Sequence, residues 1–195
     1  SLDAYAGLCY ELLPTLTADP KTGSGRPDGL TDYFQTLETE LAELRRFAPK
    51  RLELDYLEMI LLHVQSRCYI HDGRYEKGLE VLSRLLDCCS RMGDRSMEIQ
   101  ARLQLVYFGI QTGNIQVMDK HLSILKSRLE GMEHSADYGV YLRLSGLLEL
   151  ARGHYPQARA ILGQAIETFQ ALDPNMDGRY AINIAGVYNY IAETY

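Results

Sequence analysis

Tryptophan is absent from this 195-residue chain, and it holds only four phenylalanines, six prolines and four cysteines. None of the cysteines forms a Cys-x-x-Cys pair, so a zinc ribbon has no ligands to build on. Cys88 and Cys89 are neighbours in a helical pattern, where adjacent side chains point about 100° apart. A bridge between them would strain the backbone. All four, Cys9, Cys68, Cys88 and Cys89, read as reduced thiols, which points to a cytoplasmic protein. No secretory signal is visible at the N-terminus, and no apolar run approaches the ~20 residues that span a bilayer. No membrane partner is therefore expected. A basic excess is lacking too: 20 Lys and Arg face 26 Asp and Glu, for a net charge of −6. That balance argues against nucleic-acid contact by this segment. The densest basic cluster, Arg45, Arg46, Lys50 and Arg51, reads as a solvated helix end.

Catalytic patterns are equally scarce. The five histidines, His63, His71, His121, His134 and His154, form no His-Glu-x-x-His arrangement. The pair His71–Asp72 resembles part of a metal-dependent phosphohydrolase site, but it stands at a helix end without the other ligands. No serine lies in Gly-x-Ser-x-Gly, and no cysteine has an evident helper. The stretch "TADPKTGSGRPDG" (Thr17–Gly29) is glycine-rich, yet no strand precedes it and no Gly-Lys-Ser/Thr follows, so it reads as a mobile loop and not a phosphate cradle. The chain is expected to be no enzyme and to carry neither cofactor nor metal.

What is present is helical periodicity. Hydrophobic residues make up 46% of the chain, enough for a core. Apolar residues recur at helical spacing almost throughout. The pattern predicts helices near 2–13, 30–47, 51–71, 75–92, 95–112, 115–131, 135–152, 155–172 and 178–195, with Asp94 and Ser135 as N-caps. Gly73, Gly113 and Gly153 each follow one helix and precede the next, as left-handed caps do.

Those three glycines lie forty residues apart and mark a repeat: "DGRYEKGLEVL" from Asp72, "TGNIQVMDKHL" from Thr112 and "RGHYPQARAIL" from Arg152. Aligned on the glycines, Tyr75, Ile115 and Tyr155 coincide, as do Gly78, Met118 and Ala158. Leu82, Leu122 and Leu162 follow, then Leu85, Leu125 and Ala165. These offsets share one helix face. Before the turn, Leu62, Leu105 and Leu142 pack, and Ser66 and Gly146 allow close approach where the middle copy has Val106. Tyr69 gives way to Gly109 and Glu149 in the other copies. A lone hairpin of this kind cannot bury its apolar face, whereas stacked neighbours can; the pattern predicts an all-α solenoid of helix pairs.

"GRYEKGLEVL", "GHYPQARAIL" and "YNYIAETY" (Tyr188–Tyr195) resemble the tetratricopeptide repeat, with its Gly-x-Tyr-x-x-Ala turn. The resemblance covers about Leu52 to Tyr195. It implies a right-handed α-α superhelix of antiparallel pairs, with repeats near 51–93, 94–133 and 134–173 and a partial one at 177–195. Residues 1–50 would form a divergent helix pair interrupted by the loop at 17–29, with Gly7 and Tyr10 echoing the pattern. The usual repeat is about 34 residues, so this one is long. Such length is similar to arrays in the maltose-regulator and LuxR-type bacterial transcription activators, and to kinesin light chains. In the bacterial group the array links a nucleotide-binding switch domain to a helix-turn-helix domain and senses a ligand or partner. The start at Ser1 without Met and the stop within a helical pattern at Tyr195 fit a piece of such a longer protein.

In an array of this type the first helix of each pair lines an inner groove. Positions six, ten and thirteen before the turn glycine are expected to face solvent there: Arg67, His63 and Ile60; Tyr107, Leu103 and Gln100; Leu147, Arg143 and Val140. Gln104 and Gln111 flank Tyr107, and Asn189 and Glu193 occupy matching places in the last helix. The candidate groove residues are thus His63, Arg67, Gln100, Gln104, Tyr107, Gln111, Arg143, Asn189 and Glu193. Arginine grips carboxylate or phosphate in a fork, and tyrosine offers flat apolar area. The partners this suits are a protein or peptide segment, or a small-molecule effector. His63 and Arg67 replace the Lys and Asn with which chaperone adaptors of the family clamp a peptide C-terminus, so that subtype is not expected. The expected role is the sensor or relay region of a bacterial transcription regulator. A constitutive peptide-binding scaffold, or a dimerisation element that makes the chain a homo-oligomer, is the alternative.

Overall fold

The computed structural model describes residues 27–175 and 178–195. The helix expected at 2–13, Cys9 and nearly all of the loop at 17–29 lie outside them. Every regular element among the described residues is an α-helix: α1 (Pro27–Phe47), α2 (Leu52–His71), α3 (Tyr75–Met92), α4 (Arg95–Thr112), α5 (Ile115–Arg128), α6 (Ala136–Ala151), α7 (Tyr155–Leu172) and α8 (Ala181–Ala192). Three departures from expectation have local causes. Pro27–Gly29, assigned to the loop, are already helical, because proline costs nothing in a first turn whose N–H groups lack partners anyway. α5 stops before Gly131 and α8 starts after Gly178, both glycines at positive φ that a helix cannot hold.

The chain forms two compact units, Ser1–Gly93 and Asp94–Tyr195. In the first, α2 packs on α1 and α3; in the second, α4 packs on α5 and α6, α6 on α5 and α7, and α7 on α8. Packing is therefore sequential within each unit, from hairpin to hairpin.

The three repeat turns are closed by the same two bonds. The glycine N–H donates to the carbonyl three residues back: Gly73 to Ile70 at 3.2 Å, Gly113 to Ile110 at 3.2 Å, Gly153 to Leu150 at 2.9 Å. The next N–H reaches five residues back: Arg74 to Tyr69 at 2.8 Å, Asn114 to Gly109 at 2.7 Å, His154 to Glu149 at 2.9 Å. This paired closure requires a left-handed residue between the helices, and the glycines supply it at φ 73°, 67° and 78°. Only the carbonyl of Tyr69, Gly109 or Glu149 takes part in this closure, so the turn itself does not dictate the residue type there.

Beyond each turn the aligned face is buried as the spacing predicts. Gly78, Met118, Ala158, Leu82, Leu122, Leu162, Leu85, Leu125 and Ala165 are all buried. Each fully buried leucine stabilises by about 1.5–3 kcal/mol relative to an exposed one. Met118 is bulky where the other copies have Gly78 and Ala158, and Gly109 makes the room: a Cβ there would lie 2.6 Å from Met118 Cγ. Gly146 plays the expected close-approach role, since a Cβ would sit 2.6 Å from Leu162. The first aligned position is a correction. Ile115 and Tyr155, the first residues of their helices, are 37% and 47% exposed.

Two of the second helices, α3 and α5, bury a single stripe, whereas α2, α4 and α6 are buried around a wider arc. Each of these three packs against at least two other helices. Asp94, Asn114 and Ser135 accept N-cap bonds from Met97, Val117 and Tyr138. Cys68, Cys88 and Cys89 are buried and unbridged. Burial raises the pKa of Cys88, which keeps that thiol protonated and unreactive.

Candidate functional site

The residues expected to line one surface divide between the units: His63 and Arg67 belong to the first, and the other seven to the second. His63 is a correction, being 7% exposed. Leu103 and Leu147 are corrections of the same kind, buried in one cluster with Val106, Leu144 and Leu148. The cause is the wider buried arc of the first helices. In the second unit α4 packs directly on α6, so positions that a lone hairpin would leave open are covered. In the first, α2 is covered by both α1 and α3.

Arg67, Gln100 and Gln104 are partly buried, while Tyr107, Gln111, Asn189 and Glu193 are exposed. Gln100 Nε2 donates to Asp137 Oδ1 at 2.6 Å, tying α4 to α6. Glu193 is the C-cap of α8, outside the helix on which it was expected.

Arg143 stands apart. It projects from α6 and is partly buried. Its Nη1 donates to Asn183 Oδ1 of α8 at 3.3 Å. Its Nε is out of contact with solvent and has no hydrogen-bond partner. No carboxylate among the described residues pairs with it; Arg95 and Arg159 of this unit bond carbonyl or hydroxyl oxygens instead, and three others meet carboxylates. Arg102 meets Glu98 at 2.8 Å, Arg128 meets Glu98 at 3.1 Å, and Arg152 meets Glu149 at 2.8 Å as well as Asp119. Burial lowers the pKa of Arg143, and the neighbouring Tyr190 and Tyr107 oppose that shift. A guanidinium remains charged at any physiological pH, so the fold holds a desolvated cation among two phenols and an amide.

Arg143 and Tyr107, both expected on one surface, lie close enough to interact; the spacing did not point to Asn183 or Tyr190. Matching "YNYIAETY" to the repeat directed attention to Asn189 and Glu193. The signal for Asn183 was present in the sequence: it stands forty residues beyond Arg143, one repeat length.

Of the basic cluster near the end of α1, Arg45 is neutralised locally. Arg45 bridges Asp55 at 2.7 Å and Glu58 at 2.8 Å, as a solvated helix end does. His71 ends α2, and Asp72 beside it pairs with Arg74 at 2.6 Å. Among the described residues no group of three or more His, Cys, Asp or Glu is placed to hold a metal ion, and no helix is long and apolar enough to cross a membrane. Compared with family models, curated proteins and solved structures, the chain matches none.

Proposed function

We propose that this chain is a non-enzymatic, tetratricopeptide-like binding module that serves as the sensor or relay region of a larger bacterial transcription regulator in the cytoplasm. Its helix pairs would continue one another as a right-handed superhelix. A ligand or partner domain would occupy the face formed by the first helices and favour one of two conformational states, through a difference in affinity between them. The observation that carries the binding part of this reading is Arg143, whose Nε is buried without a partner. A buried cation is costly unless something compensates it. A site of this kind is retained where a ligand supplies the missing charge. The repeated turn closure supports the repeat assignment, since three copies share one backbone geometry while their side chains differ.

The test uses the intact gene product. Replacing Tyr107 and Arg143 by Ala is expected to weaken binding of the partner or effector while the melting temperature does not fall. Equal binding by the double variant removes the reading. A gene that encodes no helix-turn-helix DNA-binding domain removes the regulator assignment and leaves the peptide-binding scaffold.

A further inference from the structure

Arg143 also says what kind of group would bind. Guanidinium offers two parallel N–H groups along its Nε–Nη2 edge, the geometry that matches the two oxygens of a carboxylate. Here Nη1 is engaged by Asn183 Oδ1 at 3.3 Å and Nε has no hydrogen-bond partner, so it is this edge that lacks an acceptor. Asn183 cannot neutralise the arginine, because its amide carries no charge. Arg143 itself brings one positive charge, and the neighbours that bear on its ionisation are the neutral phenols of Tyr190 and Tyr107. A single positive charge suits a monoanion better than a phosphate dianion. The walls are aromatic: Tyr107 from α4 is 41% exposed, and Tyr190 from α8 is partly buried against the core. Rings of this kind favour a ligand with a flat or apolar body beside its charge. Nε is closed to solvent, so a neighbour must move to admit the ligand. Of Tyr107, Tyr190 and Asn183, Tyr107 is the exposed one.

We propose that Arg143, Asn183, Tyr107 and Tyr190 form a carboxylate-binding site that receives a monoanionic carboxylate attached to an apolar body, held along the Nε–Nη2 edge of Arg143. This deepens the binding-module reading and rests on it. The carboxylate can belong to a small acid or to an Asp or Glu side chain of a protein segment.

The experiment follows the arginine Nε–Hε resonances of the 15N-labelled 195-residue chain. The Arg143 signal is identified by its loss in Arg143→Met, or in Arg143→Lys if the first variant does not fold. The probes are 4-phenylbutyrate, its uncharged amide, inorganic phosphate, and the peptide acetyl-Leu-Asp-Phe-amide with its Asn counterpart. The expected result is a saturable downfield shift of the Arg143 signal with one or both carboxylates and none with the amide or the Asn peptide. Arg143→Lys, which keeps the charge and loses the fork, should weaken binding about 10-fold. A response to phenylbutyrate alone identifies a small acid as the source, and a response to the Asp peptide identifies a protein segment. An unmoved signal with both carboxylates overturns the proposal, as does an equal shift with the uncharged probes. A shift with phosphate alone overturns the carboxylate assignment but leaves a binding site at Arg143. The module reading fails separately, when the Tyr107→Ala, Arg143→Ala variant binds its partner as well as the native chain does.

Discussion

His121 illustrates how one buried side chain sets a property of the folded protein. It is 7% exposed, and Arg102 Nη1 lies 3.3 Å from its Nδ1. Burial first, then Arg102 and Lys120, lowers its pKa from 6.5 to about 4. The folded chain therefore keeps His121 neutral where the unfolded chain takes up a proton. Stability falls as pH drops from 6.5 to about 4, by at most about 3 kcal/mol from this group. Urea midpoints at several pH values across that window should show the slope, and His121→Gln should flatten it. A parallel slope in the variant would assign the effect to other groups. Glu98 and Glu149 are the natural ones, since bonds from Arg102 and from His154 and Arg152 hold their pKa values down against burial. Those carboxylates contribute stability that is lost as pH falls through their folded pKa values, in both proteins alike. The spacing of Met118 and Leu125 placed His121 on the buried face, but not its contact with Arg102, which joins two helices.

Helix limits were legible wherever a glycine turn marks them. α3, α4 and α7 fall on the expected residues, because each begins or ends beside a left-handed glycine or a capping side chain. Faces were legible only in part. For α3 and α5 the buried residues form one stripe, and periodicity finds it. α2, α4 and α6 are buried around a wider arc, and the spacing of apolar residues does not say which further flank a neighbour covers. His63, Leu103 and Leu147 were misjudged for that reason. The fit between paired helices is testable at Gly146, where an added methyl would meet Leu162 at 2.6 Å. Gly146→Ala should destabilise by ~1–3 kcal/mol through overpacking, read as a lower urea midpoint with an unchanged slope. A truncation on the opposing side, Leu162→Ala, should cost ~2–5 kcal/mol. If the double variant is no more stable than additivity predicts, the two positions do not share one contact.

At the scale of the molecule, the second unit carries two clusters of its own, one around Leu122, Leu125 and Leu144 and one around Leu162, Phe169 and Val187. A fragment of residues 94–195 should therefore fold alone, with helical circular dichroism and a cooperative melt; a non-cooperative melt would show that its core is incomplete. Within that unit the fold holds a cation that its own carboxylates leave unmatched, and this tension between stability and binding is the centre of the account. The melting temperature of Arg143→Met tests it most directly. Methionine keeps much of the volume and removes the buried charge, so the account predicts a melting temperature equal to or above that of the native chain. A fall of about 4 °C or more, roughly 1–2 kcal/mol for a protein of this size, would show that Arg143 holds the fold together and would contradict its role as a site kept for a ligand.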